Sequence, residues 1–323
     1  MREGGRRIVF MGSPGSAVPS LEAVAERFEV PLVLTQPDRP KGRGRKLRPT
    51  PVRWKAGELG LEVLQAADVN DPSSVEKIRA ARPSAIVVVS FGQILRKPVL
   101  EAAPLGCTNL HFSLLPKLRG AAPVPWAIIR GCSETGVSVM RVTEGLDEGP
   151  VYAQEKEAIR ESDTAVSLYR RLSESGARLL AGTLEDILAG RAEARPQDHS
   201  QATYAPKIER ELGAVDWRRP GVEVDRLIRG LSGQGEAYAY FESAKRGRLR
   251  VRFFDSRAAE CAGAEPGLAF TGKGGSLYVA CGKGCVEVRE LQVEGKRRVW
   301  GTDFANGYHI SGGARFLGGG AGG

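Results

Sequence analysis

The sequence predicts an α/β fold in two parts. A doubly wound, Rossmann-like sheet spans residues 1–190. A linker at 191–208 then leads to a small β-barrel of the OB type over 209–323. Three observations carry this prediction. Short apolar runs alternate with helical segments at βαβ spacing through the first half, the pattern of a parallel sheet with helices on both faces. One run, Ala85-Ile86-Val87-Val88-Val89, is apolar and mostly β-branched without interruption, as a strand buried on both faces requires. From Glu209 the character changes to short strands with alternating apolar residues and glycine-rich turns, several within about 115 residues.

Taken in order, Arg7 to Met11 reads as the first strand. Gly12-Ser13-Pro14-Gly15-Ser16 turns it into a helix from about Ala17 to Arg27. This opening lacks the Gly-x-Gly-x-x-Gly spacing of a dinucleotide site, so no bound dinucleotide is predicted. Val30 to Leu34 is the second strand. Between Asp38 and Lys55 there are eight basic residues and one acidic one. The glycines and prolines there argue against regular structure, so the stretch reads as a mobile cationic loop. Thr50-Pro51 and Asp71-Pro72 each pair an N-cap with a helix-starting proline. They open helices to about Leu59 and Ala81, with a strand near Glu62 to Leu64 between them. Val137 to Val142 and Val151 to Ile159 read as strands. Asp163 caps a long amphipathic helix that stops at Gly190. In the second part a helix near Val222 to Leu231 precedes strands at Ala237–Phe241, Leu249–Phe253, Leu277–Cys281 and Val286–Leu291. Alternation places Arg246, Arg248, Arg250 and Arg252 on one strand face, opposite Leu249, Val251 and Phe253. The tail from Gly312 is glycine-rich and reads as disordered.

Composition narrows the function. A hydrophobic fraction of 41% and a charged fraction of 26% belong to a soluble globular chain. No apolar run approaches the roughly 20 residues of a membrane span. The N-terminus has no room for a signal peptide's apolar core, which points to the cytoplasm. The five cysteines are scattered. Cys281 and Cys285 are four apart, but no second pair or flanking histidine completes a zinc site, so no metal is expected. A net charge of +9 favours a polyanionic partner. Nothing demands more than a monomer.

The chemistry concentrates in Asn109-Leu-His-Phe-Ser-Leu-Leu-Pro-Lys-Leu-Arg-Gly120. Asn109 and His111 are two apart, so an extended segment projects both side chains from one face. Pro116 and Gly120 then break the chain into a loop. A polar pair at the C-terminal end of a strand, next to a loop, is where open α/β sheets place their ligands. Downstream, Glu144-Gly145-Leu146-Asp147-Glu148-Gly149 sets a carboxylate on a turn. Asn109, His111 and Asp147 together suffice to polarise a carbonyl and move a proton. The stretch Ser90 to Leu95 leaves the central strand, and Phe91, Ile94 and Leu95 offer apolar surface suited to a flat ring.

The wording Asn-x-His-x-Ser-Leu-Leu-Pro-x-x-Arg-Gly, followed by Gly-Leu-Asp-x-Gly, resembles the signature of the 10-formyltetrahydrofolate-dependent formyltransferases. Ala202-Thr203-Tyr204-Ala205-Pro206-Lys207-Ile208 is similar to the wording of the family's tRNA-directed members, and the likeness runs from Arg7 to about Leu291. The resemblance implies 10-formyltetrahydrofolate as co-substrate, with initiator methionyl-tRNA accepting the formyl group at the start of protein synthesis. It implies catalysis by Asn109, His111 and Asp147, with no metal or covalent nucleophile. It implies folate contacts at Phe91, Gly92, Gln93, Ile94 and Leu95, and at Ser113, Leu114, Leu115 and Pro116. It implies tRNA contacts at Arg39, Lys41, Arg43, Arg45 and Lys46, and at Arg246, Arg248 and Arg250. An acceptor such as a nucleotide-linked amino sugar would keep the trio without needing the cationic loop. A purely RNA-binding protein would need the charge without the trio. The chain departs from the family's usual wording at Ser16, Phe112, Pro125 and Leu231–Gly235.

Overall fold

The structure, a computed structural model, describes residues 6–41, 46–243, 247–310 and 314–319. The chain divides into two compact units. One comprises Met1–Pro123, Glu134–Ala158 and Tyr169–Ala205, and the other Val124–Ser133, Ile159–Leu168 and Pro206–Gly323. This division by contacts runs differently from the expected boundaries, with a break at residue 190 and a linker at 191–208. Residues 191–205 belong to the first unit because their backbone is paired within it. Val151 N donates to Arg195 O (2.8 Å), Arg119 N to Thr203 O (2.9 Å) and Ala205 N to Arg119 O (2.7 Å). The segment 159–168 belongs to the second unit, where Arg229 Nη1 donates to Asp163 O at 2.7 Å. Polar composition and prolines suggest a linker, but they do not reveal where backbone groups find partners.

The first unit opens with β1 (Arg7–Gly12), α1 (Val18–Arg27) and β2 (Glu29–Thr35). A hairpin of β3 (Arg39–Lys41) and β4 (Lys46–Arg48) follows, then α2 (Pro51–Glu58), β5 (Val63–Gln65), α3 (Pro72–Ala80) and β6 (Ala85–Val89). The chain continues with α4 (Lys97–Leu100), β7 (Cys107–His111), α5 (Pro123–Ile129), β8 (Glu134–Arg141), β9 (Val151–Ala158) and α6 (Ala165–Leu188). Both predicted cap–proline pairs form. Thr50 Oγ1 accepts from Arg53 N (3.1 Å) and Asp71 Oδ1 from Ser73 N (2.9 Å). The stretch read as an irregular loop instead has two paired arms, with Arg39 opposite Arg48 and Pro40 opposite Leu47. Proline tolerates this place because an isolated hairpin has edges that need no N–H.

The sheet runs β5-β2-β1-β6-β7-β8-β9. The first five strands are mutually parallel. β8 and β9 are antiparallel additions at one edge. The burial of the outermost strand agrees with this. All five residues of β6 are buried, whereas β9 is largely exposed along its second half, and a strand wetted on one face suits antiparallel pairing. The chain runs outward from β1 to β2 and β5, then returns to β6 on the other side of β1. This reversal opens a crevice beyond the carboxyl ends of the central strands.

The second unit contains α7 (Gly221–Leu231), β10 (Ala237–Ser243), β11 (Gly247–Ala259), β12 (Ala269–Thr271), β13 (Leu277–Ala280) and β14 (Cys285–Val293). β15 (Arg298–Trp300), α8 (Gly301–Gly307) and β16 (Phe316–Leu317) complete it. Its antiparallel sheet runs β12-β13-β14-β11-β10-β16, with β15 paired to β14. Trp217, Phe241, Phe253, Phe304 and Phe316 fill the core. The four strands read from alternation are present. The seven-residue α8, which starts and ends in glycine, offered no periodicity to read. Among the described residues no helix is long and apolar enough to cross a membrane.

Candidate active site

A cavity of about 530 Å³ lies in the first unit, beyond the carboxyl ends of β6 and β7. The β-strand places Asn109 and His111 on one face, and both line it. Asp147 reaches it from the turn between β8 and β9. The three residues drawn together from the sequence therefore share one wall.

His111 is buried, at 6% exposure. Its Nε2 lies 2.9 Å from Leu118 O, and its Nδ1 lies 3.6 Å from Asp147 Oδ2. The Leu118 carbonyl can only accept, so Nε2 carries the proton that faces it. Nδ1 then faces the carboxylate, and a proton arriving at Nδ1 would find Asp147 Oδ2 as its partner. The carboxylate is itself anchored, since Gly120 N donates to Asp147 Oδ2 at 2.8 Å. Gly120 lies at φ +110°, and a Cβ there would come within 2.6 Å of the Tyr204 ring and 2.7 Å of Ala205 O. Only glycine brings this donor so close to the 203–205 backbone. Among the described residues the Asn109 side-chain amide has no hydrogen-bond partner, which leaves its donors to the cavity.

Phe91, Gly92, Gln93, Ile94 and Leu95 all line the cavity as expected from the sequence. Phe91 and Leu95 are buried, while Ile94 is 77% exposed at the rim. Gln93 also ties loops together, since its Oε1 accepts from Val69 N (2.8 Å) and its Nε2 donates to Ala66 O (2.9 Å). Ser113, Leu114, Leu115 and Pro116 do not line the cavity. Instead they shape the loop beneath it. Ser113 Oγ donates to Lys117 O (2.6 Å), and Ser138 Oγ donates to Ser113 O (2.6 Å) while accepting from Leu115 N (3.1 Å). Spacing alone does not distinguish such loop construction from ligand contact. The sequence reading missed Met140, Val142, Leu146, Tyr169 and Tyr204, which complete the apolar wall. Leu146 and Tyr204 sat inside stretches already singled out. Tyr169 has no local signal, since it is one of many partly or fully buried positions on α6, and desolvation pushes its phenol up.

The cationic candidates fare unevenly. Arg39 is exposed and donates to Gln36 Oε1 at 2.9 Å. Arg43, Arg45 and Arg246 lie outside the described residues, as do the side chains of Lys41 and Lys46. Arg248 stacks on Tyr240 (4.4 Å to the ring centre) and Arg250 on Tyr238 (4.2 Å). Arg250 also approaches Glu294 at 3.7 Å, and Arg252 is paired with Glu236. Alternation did place these arginines opposite buried Val251 and Phe253. The face is a ladder of stacked and paired side chains rather than bare charge.

An amide, an imidazole and a carboxylate on the wall of a largely apolar cavity are side chains suited to acyl transfer. The chain belongs to the formyl transferase family. Residues 6–184 match the family model described as "Formyl transferase", and residues 207–309 match "Formyl transferase, C-terminal domain". A methionyl-tRNA formyltransferase of Pelobacter propionicus is 45% identical over 317 residues, which cover 98% of this chain and 97% of that one. That of Trichlorobacter lovleyi is 42% identical over 308 residues, covering 95% of this chain and 96% of that one. Among solved structures, HypX from Aquifex aeolicus in complex with tetrahydrofolic acid superposes with a TM-score of 0.64. It is 18% identical, with 94% of this chain and 47% of that one covered. The sugar 3N-formyl transferase WlaRD superposes with a TM-score of 0.62 at 17% identity, covering 90% of this chain and 99% of that one. At such identities these likenesses establish the fold.

Proposed function

We propose that this chain transfers the formyl group of 10-formyltetrahydrofolate to the α-amine of the methionine carried by initiator tRNA. The observation that carries the reading is the convergence of Asn109, His111 and Asp147 on one cavity. The full-length relatives named for this activity support the acceptor. The cavity fits the co-substrate in size and lining, since pockets of roughly 300–1,000 Å³ hold ligands of this kind. Phe91, Ile94, Leu95 and Val142 would flank its ring. Gly92, at φ +79°, lets the loop backbone curl at the cavity wall. When bound, the co-substrate would supply the formyl carbon that the amine attacks; the bond from that carbon to N10 breaks, and N10 takes up a proton as the attacking amine gives one up.

The protein's own part is polar and positional. Asn109 donates its amide to the oxygen on which negative charge develops, a contribution of about 3 kcal/mol where such donors are preorganised. His111 and Asp147 together hold one proton-accepting position, at Nδ1, for the proton that the amine sheds. The Leu118 carbonyl and the Gly120 N–H keep the two rigid. The β3–β4 hairpin, bearing exposed Arg39 and Arg48, together with Lys41, Arg43, Arg45 and Lys46, supplies the contact to tRNA phosphates. The second unit, with its antiparallel sheet, is read as an OB-like barrel that adds tRNA contacts through Arg246 and Arg248, while Arg250, which the sequence placed with them, supports that face by stacking on Tyr238. Catalysis is assigned to residues 1–190 and tRNA binding to 209–323; of the connecting stretch 191–208, residues 191–205 are tied to the first unit.

The test gives purified protein 10-formyltetrahydrofolate with methionyl-initiator tRNA in one reaction and a nucleotide-linked amino sugar in another. Formyl-methionine on the tRNA alone is the expected result. Formylation of the sugar alone would keep the trio and overturn the acceptor.

A further inference from the structure

We infer that Gln197 is a positioning residue for Asp147, a role that rests on the reading of Asp147 as part of the catalytic trio. Gln197 falls in the polar, proline-flanked stretch that reads as linker from sequence, yet it is only 8% exposed. Its Nε2 donates to two carbonyls of the Asp147 turn, Asp147 O at 2.8 Å and Gly149 O at 2.6 Å. Its Oε1 accepts from Arg119 Nε (3.2 Å) and Nη2 (2.8 Å). This is the one amide orientation that satisfies every neighbour. Reversed, the oxygen would face two carbonyls and the NH₂ would face a guanidinium.

The turn needs such an anchor. Asp147 has φ +52°, a left-handed conformation that a non-glycine residue adopts at a cost. Gly149 leaves no slack on the other side, since a Cβ there would lie 1.9 Å from Arg141 O. A single buried amide therefore clamps the carbonyls at both ends of Asp147-Glu148-Gly149. Arg119, also 8% exposed, backs the clamp and extends it. Its Nη2 lies 3.3 Å from His199 Nδ1 and its Nη1 lies 3.6 Å from Glu148 Oε1. Arg119 is also the residue whose N–H and carbonyl pair with Thr203 and Ala205. The loop that follows the catalytic strand, the carboxylate turn and the 195–205 segment are thus knitted together at Gln197. The carboxylate of Asp147 faces His111, while its main-chain carbonyl is held by Gln197.

Gln197→Glu isolates the donor arm. It keeps an oxygen for Arg119 and places an acceptor where two carbonyls already accept. In steady-state formylation of methionyl-tRNA, kcat should fall about 10- to 100-fold, the scale of a misplaced catalytic group, with both KM values within about twofold. Because Gln197 acts through Asp147, the same change in an Asp147→Asn background should cost no more than about twofold further. If Gln197→Glu gives no folded protein by circular dichroism, Gln197→Met is carried through the same cycle. Equal losses in both backgrounds, or raised KM with unchanged kcat, would overturn the role. An Asp147→Asn protein with undiminished kcat would overturn it through the site assignment instead, and that failure is separately visible because Gln197 is unchanged there.

Discussion

The cavity wall of the first unit and the arginine ladder of the second use polar groups in opposite ways. At the cavity there are few of them. They sit against backbone, with His111 on the Leu118 carbonyl and Asp147 on the Gly120 N–H, while Asn109 is left facing the cavity. On β11 the charges are many, but Arg250 and Arg252 are largely covered, lying on Tyr238 or against Glu294 and Glu236. The number of arginines on β11 therefore overstates the cation that this strand offers a partner. What matters for chemistry is which groups the fold leaves uncommitted.

That contrast can be broken at several points. Asn109→Ala should lower kcat for formyl transfer about 100- to 1,000-fold, the usual loss for one oxyanion donor, with little change in tRNA affinity. A loss confined to KM would make Asn109 a binding residue. On the hairpin, Arg39→Ala and Arg48→Ala should each reduce the salt slope of tRNA binding by about 1 and leave thermal stability unchanged. Arg250→Ala should do the reverse. It removes a stacked guanidinium that is 14% exposed, so the melting temperature should fall while the salt slope stays nearly constant. A steep change of slope for Arg250→Ala would return the ladder to the tRNA surface. The smallest effect concerns thiols. Burial pushes Cys107, Cys281 and Cys285 up to about 12. Such groups favour the fold in their neutral form. Their contribution is full below the unfolded value of about 8.5 and is lost as pH rises from there towards 12. At pH 8 a thiol reagent should label Cys132 and Cys261, which are half-buried, and reach the other three only on unfolding.

How much was legible in the sequence follows from the range of the interactions involved. The run Ala85 to Val89 declared its strand through its own side chains, and Thr50 and Asp71 declared their helices through local caps. Asn109 and His111 could be paired because a strand's period is two. Asp147 joined them through its glycine-flanked turn. Long-range pairing was not legible. The antiparallel edge of β8 and β9, the docking of 191–205, and the placing of 124–133 and 159–168 with the second unit depend on partners distant in the chain. Gln197 shows the limit most clearly, as an ordinary polar residue in a polar stretch, made important by carbonyls 48 and 50 residues away. Ser113 to Pro116 carry hydrogen bonds that build their loop, and these too depend on partners that spacing did not disclose.

The most direct test of the account is single-turnover formylation by His111→Ala, with methionyl-tRNA binding measured on the same preparation. The account predicts a rate lower by about 100- to 10,000-fold, the range for a positioned acid–base group, with the dissociation constant for tRNA essentially that of the unaltered protein. A rate near the unaltered one would contradict it and remove the wall of the cavity from the chemistry.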